Sequence, residues 1–479
     1  MAWCAVEYFE STGAILRMLL DHHSPDALHC GRSLLHHAIL CSNPGAAEAL
    51  LASGADHELP VAASRKYEFR PVHMAARLGQ HAILRSLCDR GCDPDSRTGS
   101  GDTALMLCAR YKRKDCVRVL VDAGADLSLV NDDGASAESV AASSRWRAGF
   151  RRAVLDAIRS GAAAHAAWSN ASLFSYVMFA AGCGDAGALE ALLVRADIDV
   201  DRQDESGLSP VMVAAREGHV DSFRVLVFGG ANAGLANKAG ETAVGLCRLS
   251  GSSELFEQVM LELTLEKGDV AGFYALHCAA RRGDLLCVHL LSNRGHDVDQ
   301  ADEDGYTPLM LAAREGHAKV CQVLIACGAK CDVRTDGGGE TALSLARKNG
   351  MAEAEGVVLD ELARVTVSSG GRVRKHTKRG KGSPHGKTLA MVGATGVLRW
   401  GKSRRRNVVC KEAEVGGSRA FQKNRRRKGD ALVPGLFRVV TTKAKEFHFV
   451  CEGGDDVAEL WVRGITNATN AASAKGDIS

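Results

Sequence analysis

The sequence predicts an α solenoid of about ten helix-hairpin units, followed by a small β-barrel closed by a C-terminal helix. Three observations carry that prediction. A small residue behind a short apolar run recurs from Ala38 to Ala346, the recurrence stops before Gly370, and the charge changes sign at the same place. The recurring positions are Ala38, Ala75, Cys108, Ala141, Ala180, Ala214, Cys247, Ala279, Ala312 and Ala346, separated by 37, 33, 33, 39, 34, 33, 32, 33 and 34 residues. A period held that well marks stacked copies of one supersecondary unit. Residues 1–370 carry 36 Lys and Arg against 48 Asp and Glu, a net of −12, whereas residues 371–479 carry 24 against 9, a net of +15. A split of that size assigns the two segments different work.

Composition narrows the function classes. The 479 residues are 46% hydrophobic and 24% charged, as in folded proteins, but only 5% aromatic. Small residues between closely spaced elements are expected, and a large aromatic-lined active site is not. Glu7 and Glu10 stand where a secretory signal carries Lys or Arg. No apolar stretch approaches the roughly 18–20 residues that a membrane span needs. The 16 cysteines include no CxxC pair, so they are read as reduced, buried small hydrophobes in cytosol or nucleus. No zinc module, metal site or other cofactor is expected.

Taken in order, residues 1–29 read as an N-terminal capping helix with Ile15, Leu16, Leu19 and Leu20 on one face. Repeats fill residues 30–165 and 166–365 as two blocks. The 39-residue interval between them holds Trp146, Phe150 and Trp168 and predicts an elongated helix pair whose aromatics plug a wider interface. The clearest unit begins at Asp304-Gly305, a turn with positive φ at the glycine. Thr307 caps a helix that Pro308 opens, Leu309, Ala312 and Ala313 recur at helical spacing, and Gly316 ends it. Val320, Val323 and Leu324 line a second helix that Gly328 stops. Such a hairpin cannot bury both faces alone, so its neighbours complete the core.

This unit resembles the ankyrin repeat, with its Thr-Pro-Leu-His-x-Ala-Ala opening and Gly-Ala-Asp close. Variants stand at Pro71-Val72-His73-Met74-Ala75-Ala76, Ala275-Leu276-His277-Cys278-Ala279-Ala280 and Ser209-Pro210-Val211-Met212-Val213-Ala214, with closes at Gly54-Ala55-Asp56 and Gly124-Ala125-Asp126. His36, His73 and His277 fall in the repeat's His slot, and His81, His219 and His317 near helix junctions; periodic recurrence assigns them structural hydrogen bonds, not metal. The resemblance implies a non-enzymatic adaptor whose exposed hairpin positions hold a protein partner. Here those are Arg202, Glu205, Arg216, Glu217 and Lys238, then Arg281, Arg282, Asp302, Glu303, Tyr306, Arg314 and Glu315.

Residues 366–386 read as a basic linker with Arg372, Arg374, Lys375, Lys378, Arg379 and Lys381. Strand-like runs follow at Gly396–Trp400, Asn407–Lys411, Leu436–Thr441 and Glu446–Cys451. A helix from Gly453-Gly454-Asp455 carries Val457, Leu460, Trp461 and Ile465 on one face. Two strands, a turn and a Trp-bearing helix within residues 387–468 resemble the pleckstrin-homology-like fold, in the variant fused to ankyrin repeats in plant proteins, with Val415-Gly416-Gly417, Phe421 and a basic run; residues 469–479 read as a disordered tail. That resemblance implies anionic, phosphoinositide-type binding by Lys402, Arg404, Arg405, Arg406, Lys423, Arg425, Arg426, Arg427 and Lys428, holding the chain at a membrane surface. The same runs also fit nuclear import or nucleic-acid contact. Gly396–Ser403 satisfies the phosphate-loop pattern GxxxxGK[ST], but the expected strand-then-helix setting is lacking, so nucleotide hydrolysis is not predicted.

Overall fold

The structure, a computed structural model, describes residues 1–9, 13–61, 68–161, 168–195, 198–249, 251–268, 270, 273–335, 338–377, 380, 382–393, 395–400, 407–426 and 433–474. Two compact units, Met1–Phe273 and Tyr274–Ser479, make up the chain. The first holds eight helix pairs: α1–α2 (Ala2–Glu7, Ala14–Leu20), α3–α4 (Leu34–Leu40, Pro44–Ala52), α5–α6 (Pro71–Leu78, His81–Asp89), α7–α8 (Ala104–Arg110, Lys114–Asp122), α9–α10 (Ala137–Ser143, Arg147–Gly161), α11–α12 (Asn170–Cys183, Ala186–Leu193), α13–α14 (Pro210–Arg216, Val220–Phe228) and α15–α16 (Ala243–Leu249, Ser253–Lys267). The second holds α17–α18 (Ala275–Arg282, Leu285–Asn293), α19–α20 (Pro308–Glu315, Ala318–Ala326) and α21–α22 (Ala342–Lys348, Ala352–Ser369), then six strands and two more helices.

Every recurring small residue falls in the first helix of a pair. Ala38, Ala75, Cys108, Ala141, Ala180, Ala214, Ala279, Ala312 and Ala346 are wholly buried, and Cys247 nearly so. Absent side-chain bulk lets the first helices of successive pairs approach, as α17, α19 and α21 do in turn. The starts are capped as the sequence suggests: the Thr307 hydroxyl accepts from Met310 N at 3.4 Å, and the Thr341 hydroxyl from Ser344 N at 3.1 Å. Pro44, Pro71, Pro210 and Pro308 each open a helix, where the missing N–H costs nothing.

Several boundaries differ from the sequence reading. Residues 1–29 hold two helices, α1 and α2, the second entered from Gly13 at φ 64°. The core of the first unit runs unbroken past residue 165, because α10 packs on both α8 and α12. The compact units part after α16 instead. The helices that fill the 39-residue interval are long, 15 and 14 residues. Phe150 is buried between them, and the Trp168 ring stands 4.9 Å from Tyr176, whose hydroxyl donates to Ala125 O at 2.8 Å.

The stretch read as a basic linker is largely ordered structure. α22 runs to Ser369, and Gly370 (φ 74°) turns the chain directly into β1 (Gly371–His376). β1, β2 (His385–Met391), β3 (Val397–Trp400), β4 (Asn407–Val415), β5 (Leu436–Thr441) and β6 (Glu446–Cys451) form an antiparallel barrel in chain order, closed by β1 on β6 through Val373 opposite Cys451. Arg372 and Arg374 make β1 polar in sequence, since their side chains point out and only Val373 is a buried aliphatic. The basic run after Val415-Gly416-Gly417 forms a helix, α23 (Arg419–Arg426), and α24 (Gly454–Ala474) continues to Ala474, so residues 469–474, expected as disordered tail, are helical. Trp461 of α24 stacks on Phe437 with ring planes 8° apart and centroids 6.0 Å apart. The phosphate-loop pattern is extended where a loop is needed, because Val397–Trp400 is β3, paired with both β2 and β4. Among the described residues no helix is long and apolar enough to cross a membrane.

Ala312→Leu is expected to lower stability by about 1–3 kcal/mol in chemical denaturation, since the added carbons have no space between first helices. Ala352→Leu, at an exposed site on α22, is expected to stay within about 0.5 kcal/mol of the parent.

Candidate functional site

The loops between pairs are fingers built by one recurring device. In the second unit, Asp302 Oδ1 accepts from Asp304 N at 3.1 Å and Tyr306 N at 2.8 Å, while Gly305 turns at φ 80°. Asp204, Asn131 and Asn237 do the same in the first unit, Asp204 accepting from Ser206 N and Leu208 N, each at 2.9 Å. A short side chain that mimics a turn of backbone suits this position. Asp302 therefore shapes its finger, and the exposed tip residues beside it are Glu303 and Asp304.

Adjacent fingers are tied by carboxylates. Asp126 N donates to Asp95 at 2.9 Å, Asn232 N to Asp201 at 2.7 Å and Lys330 N to Asp299 at 2.8 Å. Burial pushes the Asp95 carboxyl up to about 6, against the pull of the Asp126 amide. Asp102 is also buried, but bonds from Arg110 and Asn131 outweigh that burial and hold it below the usual carboxylate range. Gly207 is obligatory, because a Cβ there would meet Lys238 N at 2.7 Å at φ 83°.

The expected partner residues separate into roles. Arg202 lies over the Phe174 ring at 4.8 Å and donates to Asn170 O at 3.0 Å, so its side chain braces α11. Glu205 and Lys238 stand exposed on neighbouring fingers. Arg216 and Glu217 are exposed and pair with each other at 3.2 Å. In the second unit, Arg281 and Arg282 are half-buried at the end of α17. Arg314 lies over the Tyr306 ring at 5.4 Å and pairs with Glu315 at 3.0 Å. Glu303 and Glu315 remain exposed.

Three of the histidines, His73, His277 and His317, bond the backbone of a following loop or a neighbouring helix end. His73 accepts from Arg70 N at 3.2 Å through Nδ1 and donates from Nε2 to Ser96 O at 2.8 Å, which requires the neutral ring. His277 Nε2 donates to Gln300 O at 2.8 Å. His317 bonds Arg281 O at 3.0 Å and covers Gly283, where a Cβ would come 2.6 Å from the ring. No cluster of His, Cys, Asp or Glu among the described residues suits a metal ion.

On the barrel, α23 is a basic helix pinned by its inner face. Phe421 stacks on His448 (4.3 Å, 13°), meets His376 edge-on at 5.1 Å, and packs with Leu436 and Val450. Arg425, one turn on, is buried with it, and Gly380 lies so close that a Cβ would meet Phe421 at 2.9 Å and Arg425 at 3.2 Å. Arg419, Lys423 and Arg426 share the exposed face. β1, hydrogen-bonded to β6 beneath this helix, adds exposed Arg372 and Arg374. Of the expected anion-binding set, Lys423, Arg425 and Arg426 are thus in one helix, with Arg425 turned inward. Lys402, Arg404, Arg405, Arg406, Arg427 and Lys428 lie outside the described residues. Arg419, Arg372 and Arg374 were missed for this face; the i, i+4, i+7 spacing of Arg419, Lys423 and Arg426 was the available signal.

The family described as ankyrin repeats (3 copies) matches residues 72–149 and 276–368, and the single ankyrin repeat matches residues 206–238. Protein phosphatase 1 regulatory subunit 27 of Mus musculus is 39% identical over 77 residues, 16% of this chain and 50% of that protein. E3 ubiquitin-protein ligase KEG of Arabidopsis thaliana is 25% identical over 316 residues, 63% of this chain and 19% of its own. The chain spans half or less of the length of the first curated relatives it matches. A crystallised ankyrin repeat protein is 26% identical, with 39% of this chain and 96% of that one covered at a TM-score of 0.30.

Burial lowers His36 and His73 from 6.5 to about 4. The unfolded chain then takes up the proton first. The stability these rings contribute is full above about pH 6.5 and drains as pH falls toward about 4. Urea unfolding is expected to show a steeper loss of stability across that window for the parent than for H73Q.

Proposed function

Because the chain belongs to the ankyrin repeat family, we propose that it is a non-enzymatic adaptor whose fingers hold a protein partner and whose basic barrel carries the assembly to an anionic, phosphoinositide-bearing surface. Ankyrin repeats imply protein–protein interaction, and the finger architecture carries the first half of the reading. Turn and ladder groups are locked within each finger, while Glu205, Lys238 and Glu303 project as exposed charges that folding does not use. The mouse relative is named a regulatory subunit, and only that adaptor class is taken from it. The match to the Arabidopsis ligase covers 19% of that protein and supports the repeat array alone.

The exposed cationic face of α23 with Arg372 and Arg374 supports the second half. Each cation near an anionic bilayer adds about 1 kcal/mol. A nuclear import signal is the other reading of the basic runs. The surface reading is favoured because Lys423–Arg426 is wound into a helix pinned by Phe421, whereas an import receptor reads extended chain.

Full-length protein is expected to bind vesicles containing a phosphoinositide in a salt-sensitive manner. R419E/K423E/R426E is expected to weaken that binding at least tenfold while leaving the melting transition in place. Unchanged vesicle binding with lost nuclear accumulation would reverse the choice. For the fingers, E205K/K238E in the full chain is expected to lose proteins that the parent retains in affinity capture.

A further inference from the structure

Within the second unit each hairpin offers two helices to the next: α17 packs on α19 and α19 on α21, while α18 packs on α20 and α20 on α22. Beyond the last hairpin only one of these two places is filled. α24 lies on α22 so closely that a Cβ on Gly464 would come 2.5 Å from Ala363 O, and Asp360 accepts from Arg463 at 2.6 Å and Asn467 at 2.7 Å. α24 has thus taken the place of a next second helix. Among the described residues no further helix packs on α21 as α21 packs on α19.

A groove of about 660 Å³ occupies that place, bounded by α21, α22, α24 and the end of β4. Its apolar side is Leu343, Leu359, Leu460 and Val415, the last 45% exposed. Leu343 stands where Leu276 and Leu309 are buried by the following hairpin, yet it is only half-buried. Asp456 and Glu459 of α24 line the groove, are exposed, and have no ion pair among the described residues. Asp360 is already held by Arg463. Arg347 replaces the buried alanine of earlier repeats (Ala280, Ala313), turns to Glu355 at 2.8 Å, and denies another ankyrin helix the close approach it needs.

We propose that this groove docks a basic amphipathic helix of a partner protein. Its apolar side chains, at i, i+3, i+4 and i+7, would seat on Leu343, Leu359, Leu460 and Val415, with Lys or Arg against Asp456 and Glu459. The vacant place is helix-shaped by the logic of the stack, and its free charge is negative. This site is separate from the fingers and from α23, and stands whether or not those surfaces bind.

The test uses the full chain and two labelled 16-residue peptides in fluorescence anisotropy. Both carry Leu at i, i+3, i+4 and i+7; one has Lys at its polar positions and the other Glu. Saturable binding of the Lys peptide, at least tenfold tighter than the Glu peptide, is expected. D456K/E459K should weaken the Lys peptide at least tenfold, D456N/E459Q by less, and V415D should also weaken it, all with unchanged melting. The proposal is overturned if the Lys peptide does not saturate, binds no tighter than the Glu peptide, or ignores D456K/E459K. It is equally overturned if E303K/D304K on the finger, and not D456K/E459K, abolishes binding.

Discussion

The distance between first helices of successive hairpins governs this molecule. A short helix pair has apolar side chains on both faces and no core of its own. Only when Ala or Cys stands at the crossing, as at Ala312 between its neighbours, do the backbones come close enough for Leu309 and Met310 to be enclosed. The same proximity sets finer details. Gly184 and Gly283 end their helices directly beneath the rings of His219 and His317, so the junction histidine and the glycine cap are one contact seen from two repeats. The long Tyr176–Trp168 seam relieves the constraint where the interval lengthens, aromatic area replacing helix proximity.

The array ends by the same rule. α22 must bury a face that no further hairpin covers, and α24 covers it while setting Trp461 against Phe437 and the barrel core. One helix thereby serves two cores. The turn at Gly370 and Gly371 leaves no slack between α22 and β1, since a Cβ on Gly371 would already meet the Trp461 ring at 3.2 Å. The barrel is part of the array's closure in this unit.

Charge is distributed less freely than the −12 and +15 totals suggest. Asp95, Asp102, Asp204 and Asp302 are spent on fingers and ladders. In the barrel, Arg438 answers Glu414 at 2.6 Å and Glu446 at 3.4 Å, and Lys375 lies 3.9 Å from the centre of the Trp400 ring. The charges that these internal uses leave exposed include Glu205, Lys238 and Glu303 on the array, the outer face of α23 on the barrel, and Asp456 and Glu459 on α24.

The repeat, its register and its caps were legible because they depend on neighbours along the chain: a cap three residues away, a small residue every helical pair. β5 and β6 were legible for the same reason, as alternating apolar runs with sharp bounds. β1 and α23 were not, because their sequences are basic and only the barrel beneath supplies their apolar partners. Phe421 and His448 are 27 positions apart and meet only where α23 folds back onto β6. The sequence by itself determined that this chain stacks hairpins and changes character near Gly370. Tertiary structure alone decided which acids are consumed by the fingers, which cations face outward and where the stack stops, since each is settled by atoms brought together from distant parts of the chain.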